Sequence, residues 1–158
     1  MPTARKPEPS PSRDQILLDA MRVATFSFKR WVAEVLTDRS MTMGQFWTLS
    51  DIGDHEPVNA AHLASLRCVT PPTVSVIVEE LVQEGLVARS PSKTDRRVVV
   101  LVLTHRGRET VGTVWRHIGS RLAEATRPLP DRDIESAVRV LNALETGARA
   151  VALAGGAA

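Results

Sequence analysis

The sequence predicts a mainly α-helical fold with one small β-hairpin. Apolar residues recur at helical spacing along most of the 158 residues, and only residues 86–103 have the spacing and β-branched content of strands. Two capping boxes begin at Ser12 and Thr42, where a hydroxyl and a glutamine amide can satisfy the first free amides of a helix. A chain of this length forms one domain, alone or with helices added for dimerisation.

Composition excludes several other classes of protein. Apolar residues make up 43% and charged residues 24% of the chain, which excludes a collagen-like, mucin-like or wholly disordered protein. The longest apolar run, residues 98–103, is far shorter than the roughly 18–20 residues of a membrane span, and no signal peptide is recognisable. One cysteine, Cys68, favours a reducing compartment. We therefore expect a cytoplasmic protein with no membrane partner.

The first helix is predicted to be long. Residues 1–12 hold four prolines and are expected to form a flexible arm. The helix then covers about residues 13–38, and a small domain cannot bury the whole apolar stripe of so long a helix. We expect a partner chain to cover part of this stripe, which consists of Leu17, Ala20, Ala24, Phe28, Trp31, Val35 and Leu36.

Three shorter helices are predicted next. Thr42 and Asn59 cap the first two, and Thr70 is a suitable cap for the third. Pro71 suits the first position of that third helix, where its missing amide costs nothing, and Gly85 is placed to end it. The three helices cover residues 43–56, 60–66 and 71–84.

The hairpin that follows is basic. Two strands, about residues 86–89 and 97–103, enclose a polar tip at residues 90–95. Residues 86–108 carry six basic side chains against one acidic side chain, whereas residues 43–85 carry one basic side chain against six acidic ones. A basic block in a nearly neutral chain favours a local site for anions.

Two further helices complete the chain. Thr104 caps the first, which extends to about Arg127, and the second covers about residues 131–153. Residues 154–158 are expected to fray. This organisation predicts a helix-turn-helix with its hairpin at 41–104 and a helical dimerisation region at 13–40 and 105–153.

Helix, short helix, turn, helix and basic hairpin, in this order, are typical of a winged helix-turn-helix. In that fold the second helix of the pair enters the major groove of double-stranded DNA, and the hairpin contacts phosphates or the minor groove. The candidate DNA-binding residues before the hairpin are Arg67, Thr70, Pro72, Thr73, Ser75 and Val76. Those of the hairpin are Arg89, Lys93, Arg96 and Arg97.

Several motifs resemble the MarR family of transcriptional regulators. They are TPPTVS at 70–75, GLVAR at 85–89, TDRR at 94–97 and LTHRG at 103–107, and the flanking helices extend the resemblance to residues 13–153. The resemblance implies an obligate homodimer whose interlocked first and last helices support two winged lobes on a pseudo-palindrome. It also implies that Asp95 orients Arg97, which enters the minor groove.

The helix at residues 71–84 departs from the family pattern. Many relatives have a basic residue where this chain has Val76 or Ile77, and often another near Glu80. Here the helix has no basic side chain and carries three glutamates. We therefore expect DNA binding to depend on the hairpin, on the amides at the N-terminus of the helix and on Arg67.

The predicted function is that of a ligand-responsive repressor that acts as a homodimer on a pseudo-palindromic operator. Two alternatives stay open. One is an oxidant-responsive regulator that switches through Cys68, although a small buried side chain is the simpler interpretation of this cysteine. The other is a winged-helix protein-interaction module without specific DNA binding.

Trp31, Phe46, Trp47 and Trp115 are interpreted either as core residues or as the lining of a pocket, where the resemblance implies a small aromatic effector. No cofactor or metal is expected, because His55, His62 and Glu56 lack a clear fourth zinc ligand. The sequence contains no phosphate-binding glycine loop and no nucleophile or metalloprotease motif, so we do not expect an enzyme.

Overall fold

The computed structural model describes residues 11–67, 69–92 and 98–155, with side chains up to residue 148. This part of the chain contains six helices and one two-stranded antiparallel sheet, so the mainly α-helical fold with a small hairpin is confirmed. The elements are α1 (Arg13–Thr37), α2 (Met43–His55), α3 (Ala60–Arg67), α4 (Pro71–Gln83), β1 (Val87–Pro91), β2 (Val99–Leu103), α5 (His105–Thr126) and α6 (Asp131–Gly155).

Four of the five predicted caps have the expected geometry. The Ser12 hydroxyl accepts from the amide of Gln15, and the Gln15 side chain accepts from the amide of Ser12. Thr42 and Gln45 repeat this arrangement at the start of α2. The Asn59 side chain accepts from the amide of His62 at 2.8 Å, and the Thr104 hydroxyl accepts from the amide of Gly107 at 3.0 Å. Thr70 is the N-cap residue of α4, but its hydroxyl bonds to the hydroxyl of Thr73, 2.8 Å away, instead of accepting from an amide.

The chain forms two compact units, Met1–Ser120 and Arg121–Ala158. In the first unit α2, α3, α4 and the hairpin pack on one hydrophobic core. Each large apolar side chain in such a core contributes about 1.5–3 kcal/mol by its removal from water. The fully buried members include Val32, Phe46, Leu49, Ile52, Leu63, Val74, Leu81 and Val114.

The hairpin is joined to the segment between α2 and α3. β1 pairs with β2 in a register that sets Val87 opposite Leu103. Val58 forms an isolated antiparallel bridge with Leu101, through bonds of 2.7 and 3.3 Å between their backbone groups. Because side chains alternate along a strand, Leu101 and Leu103 enter the core while Val100 and Val102 lie on the other face.

α1 and α6 each expose large apolar side chains. In α1 only Val32, Val35 and Leu36 are buried, all near its C-terminal end. In the second unit, no side chain of α6 up to residue 148 is buried. The exposed apolar residues of the two helices include Ile16, Leu18, Val23, Phe26, Ile134, Val138 and Leu141. None of the described helices combines the length and the apolar content that crossing a bilayer requires.

Candidate nucleic-acid interface

One face of α4 packs on the core and the opposite face is exposed. Val74, Val78 and Leu81 are buried, as the helical spacing predicts. Val76 lies on the other side, with 61% of its surface exposed. The remaining side chains on that side are also exposed and are Pro72, Thr73, Ser75, Glu79 and Glu80. The core therefore holds α4 by one side and leaves the opposite face exposed.

The N-terminus of α4 presents hydroxyls more than amides. Pro71 and Pro72 occupy the first two helical positions and have no N–H, so Thr73 supplies the first amide of the helix. The Ser75 hydroxyl donates to the carbonyl of Pro71 at 3.0 Å, which leaves its lone pairs available. Binding of phosphate by several helix amides, as expected from the sequence, is thereby reduced to one amide and the neighbouring hydroxyls.

Both glutamates in the middle of α4 have partners within the protein. The Gln45 amide donates to Glu80 at 3.0 Å while the Gln45 carbonyl completes the cap of α2. The Arg89 guanidinium, on β1, donates to Glu79 at 2.7 Å. This bond and the Arg89 charge lower the pKa of Glu79 below its ordinary value of 4.5, and Gln83 adds a weaker bond. Glu79 is therefore ionised at neutral pH and ties the hairpin to α4.

The residues predicted for the hairpin tip lie mostly outside the part of the chain that the structure describes. Lys93, Asp95, Arg96 and Arg97 lie outside the described residues, and so does Cys68. Of the predicted hairpin contacts, only Arg89 is described, and its side chain is 44% exposed beside Glu79.

Arg67, predicted to contact phosphate, has a partner inside the protein. Its guanidinium lies 3.0 Å from the carboxylate of Asp51, and both side chains are mostly buried. The ion pair joins the end of α3 to α2. A phosphate contact by Arg67 would therefore compete with Asp51.

The C-terminal end of α4 is fixed by backbone contacts. Gly85 has a φ of +70°, a left-handed conformation that favours glycine, and the next amide, of Leu86, donates to the carbonyl of Leu81. The Thr104 hydroxyl lies 2.8 Å from the carbonyl of Gly85 and 3.2 Å from that of Leu86. At Gly107, a Cβ atom would lie 2.1 Å from the carbonyl oxygen of Leu86. The GL and LT-x-x-G motifs thus meet at one junction of α4, the hairpin and α5.

Comparison with known proteins agrees with this architecture. Residues 41–99 match the MarR family. The HTH-type transcriptional repressor NicR of Pseudomonas putida is 40% identical over 70 residues, which are 44% of each chain. The crystal structure of RV1404 from Mycobacterium tuberculosis superposes with a TM-score of 0.74 and 30% identity, over 89% of this chain and 97% of that chain. This chain belongs to the MarR family.

A second relative extends over more of the chain. The HTH-type transcriptional repressor MdtR of Bacillus subtilis is 28% identical over 99 residues, which are 61% of this chain and 64% of the repressor. The chain therefore spans between 44 and 64% of the length of the two repressors it matches.

Sequence reasoning missed the role of Glu56 in this MarR-family chain. One Glu56 oxygen accepts from the amide of Leu103 at 2.8 Å, and the other accepts from the Arg108 guanidinium. Arg108 also donates to the carbonyl of Leu103 at 3.1 Å. These residues are about 50 positions apart, so no local pattern connects them.

His55 and His62 lie side by side, and no group of three metal-ligating side chains occurs among the residues described.

Three of the four aromatic residues predicted to group together do so. Phe46, Trp47 and Trp115 contact one another with ring centroids 5.0–5.9 Å apart. The third ring partner of Trp47 is Phe28, at 6.0 Å, and no ring contact among the described residues joins Trp31 to the group. Trp115 also donates its indole N–H to Ser50 at 3.0 Å. The effector pocket itself remains a prediction.

Proposed function

We propose that this MarR-family chain is a sequence-specific DNA-binding transcriptional regulator that acts as a homodimeric repressor. The observation that carries the proposal is the exposed face of α4, which lies next to a basic hairpin and is fixed to it by Arg89 and Glu79. The two relatives that are transcriptional repressors support a regulatory function. Catalysis is not part of the proposal.

In this proposal α4 lies in the major groove. Thr73 and Ser75 offer hydroxyls to phosphates or base edges, and Val76 offers methyl groups to thymine. Thr70 and Pro72 line the same end of the helix. The hairpin supplies Arg89, Lys93, Arg96 and Arg97 to the backbone and minor groove, with Asp95 orienting Arg97.

Homodimerisation is supported by the exposed apolar surface of the outer helices. Phe26 is 70% exposed and Leu18 67% exposed, and α6 exposes Leu141 to 58%. A monomer that left so many large apolar side chains in water would be prone to association. We propose that residues 13–40 and 105–153 form the dimer interface, and that the two lobes contact half-sites about one helical turn apart.

Release by a small aromatic effector completes the proposal. The aromatic group formed by Phe28, Phe46, Trp47 and Trp115 lies where α1, α2 and α5 meet. A ligand that intercalates there would favour one arrangement of these helices over another and so shift the population of the DNA-binding state.

Fluorescence anisotropy with the DNA upstream of the gene itself tests this function. We expect saturable binding that exceeds binding to random DNA by at least about 10³-fold and weakens steeply with salt. The protein should bind as a dimer in sedimentation measurements. Arg97→Ala should weaken binding and reduce the salt slope by about one unit, because one phosphate-neutralising charge is lost.

Two results would contradict the proposal. Equal affinity for a genome-wide set of fragments and for random DNA would favour a protein-interaction module. A monomer that binds the operator as tightly as the dimer would show that DNA binding does not require the homodimer.

A further inference from the structure

A cavity of about 620 Å³ lies beside the hairpin, and none of its lining residues belongs to α4. Its walls come from the loop after α2, from the outer face of the hairpin and from α5. Its apolar wall is formed by Pro57, Pro91, Val100 and Val102, and Ser90 and Ser92 also line it. This volume is in the range of cavities that hold small organic ligands.

The lining also contains one charged pair, Arg108 and Glu56. Glu56 is the inner partner, with 22% of its side chain exposed and with both oxygens accepting hydrogen bonds. Arg108 is the outer partner, with 53% of its side chain exposed. The cation is therefore the more accessible member of the pair.

The contacts of Arg108 fix its orientation, and a ligand carboxylate would share the guanidinium with Glu56. Its two terminal nitrogens donate to Glu56 and to the Leu103 carbonyl, which fixes the plane of the guanidinium. A guanidinium has five N–H donors, so two contacts do not exhaust it.

We propose that this cavity is a binding site for a small apolar carboxylate, whose carboxylate pairs with Arg108 and whose hydrocarbon body lies on Pro57, Val100 and Val102. The site differs in position and lining from the aromatic group of α1, α2 and α5. Its occupant contacts β1 and β2 directly and the loop that Val58 attaches to Leu101.

The regulatory consequence rests on the proposed function. Because the cavity walls include both strands of the hairpin, a ligand whose affinity differs between the free and DNA-bound hairpin changes DNA affinity by the same factor. The binding site itself does not depend on DNA.

Isothermal titration of the DNA-free protein with octanoate tests the site. An aliphatic acid is the suitable probe, because an aromatic acid could also bind the aromatic group. We expect one saturable site per chain with a dissociation constant at or below about 1 mM. Octanamide, which has the same shape without the charge, should bind at least about tenfold more weakly.

Two variants locate the octanoate. Arg108→Gln removes the charge, and Val100→Phe fills the cavity while leaving the pair of Arg108 and Glu56 in place. Each should weaken binding at least about tenfold. Arg106→Gln is the matched control, because Arg106 is a neighbouring cation of α5 that donates to the Glu84 carbonyl outside the cavity, and it should change affinity less than about twofold.

Failure of the site and failure of the proposed function are distinguishable. No saturable binding of octanoate up to about 10 mM, or binding that neither Arg108→Gln nor Val100→Phe alters, would overturn the site. Normal octanoate binding by a protein that does not prefer its operator would leave the site intact and reject the regulatory proposal.

Discussion

The two ends of α4 are built differently. At its C-terminal end, Gly85, Leu86 and Thr104 exchange hydrogen bonds with neighbouring backbone groups, and α5 approaches so closely that only a glycine fits at position 107. At its N-terminal end, the hydroxyls of Thr70, Thr73 and Ser75 bond only within the same turn and are exposed.

This difference separates stability from recognition along one helix. Backbone contacts at the C-terminal end set the direction of α4 and the departure of the hairpin, and they leave few groups free for a ligand. Local bonds at the N-terminal end cost little to exchange for bonds to another molecule. Substitutions at the two ends should therefore change different quantities.

The largest effect is expected for Gly107→Ala. The added Cβ would lie 2.1 Å from the carbonyl oxygen of Leu86, a backbone atom that also accepts from the amide of Thr104. Relief requires α5 to move away from the hairpin. We expect a loss of about 3 kcal/mol in the free energy of unfolding, measured by urea denaturation.

Gly112→Ala is the control for this prediction. Gly112 lies in the same helix, and beyond its chain neighbours and the backbone of its own helix nothing lies within 4 Å of the position of its Cβ. The alanine should stabilise the protein by up to about 1 kcal/mol, because glycine is the weaker helix former. Similar stabilities of the two variants would mean that the junction does not depend on the close approach at Gly107.

A smaller effect, on affinity instead of stability, is expected for Thr73→Val. The substitution preserves the shape of the side chain and removes its hydroxyl at the N-terminal end of α4. We expect operator affinity to fall about tenfold by fluorescence anisotropy, which corresponds to one or two lost hydrogen bonds, while the unfolding midpoint stays nearly constant. Thr110→Val is the control, since that hydroxyl lies on α5 and donates to the carbonyl of Arg106. Unchanged operator affinity of Thr73→Val would show that the N-terminal end of α4 does not contribute to DNA binding.

The same difference explains how much could be predicted from the sequence. The caps, the proline at the start of α4 and the glycine at its end are local signals, because the residues that interact are within a few positions of one another. Helical and strand spacing then predicted every element of the described chain at nearly the right bounds.

Partners distant in sequence could not be predicted. Gln45 holds Glu80, Arg67 holds Asp51, and Glu56 holds the Leu103 amide, and nothing in the local pattern of either member indicates the other. The number of charges on α4 follows from the sequence, but their partners do not: Glu79 is paired with the Arg89 cation, and Glu80 accepts from the neutral Gln45 amide. Phe28 was placed on the buried stripe, yet only the packing of α1 on α2 shows that it joins Trp47.

The smallest effect is expected for Glu79→Gln, at the middle of α4. The carboxylate holds Arg89 at 2.7 Å and so competes with DNA phosphates for that guanidinium. Removing the negative charge should raise operator affinity about threefold at low salt and make the salt dependence steeper. Glu84→Gln is the control. It removes a negative charge at the C-terminal end of α4 without releasing Arg89, so it measures the effect of the charge alone.

The pH dependence sharpens this test. Arg89 lowers the pKa of Glu79 below 4.5, so the carboxylate stays ionised at neutral pH and the difference in affinity between Glu79→Gln and the unaltered protein should be constant there. The affinity difference should shrink only in acid, because a protonated Glu79 is neutral like the glutamine. The stability that the ionised Glu79 adds to the fold is present above the unfolded pKa, and it too disappears as the pH falls through the folded pKa. A Glu79→Gln protein that binds the operator more weakly would instead mean that Glu79 positions Arg89 for DNA. The middle of α4 would then take part in recognition, like its N-terminal end.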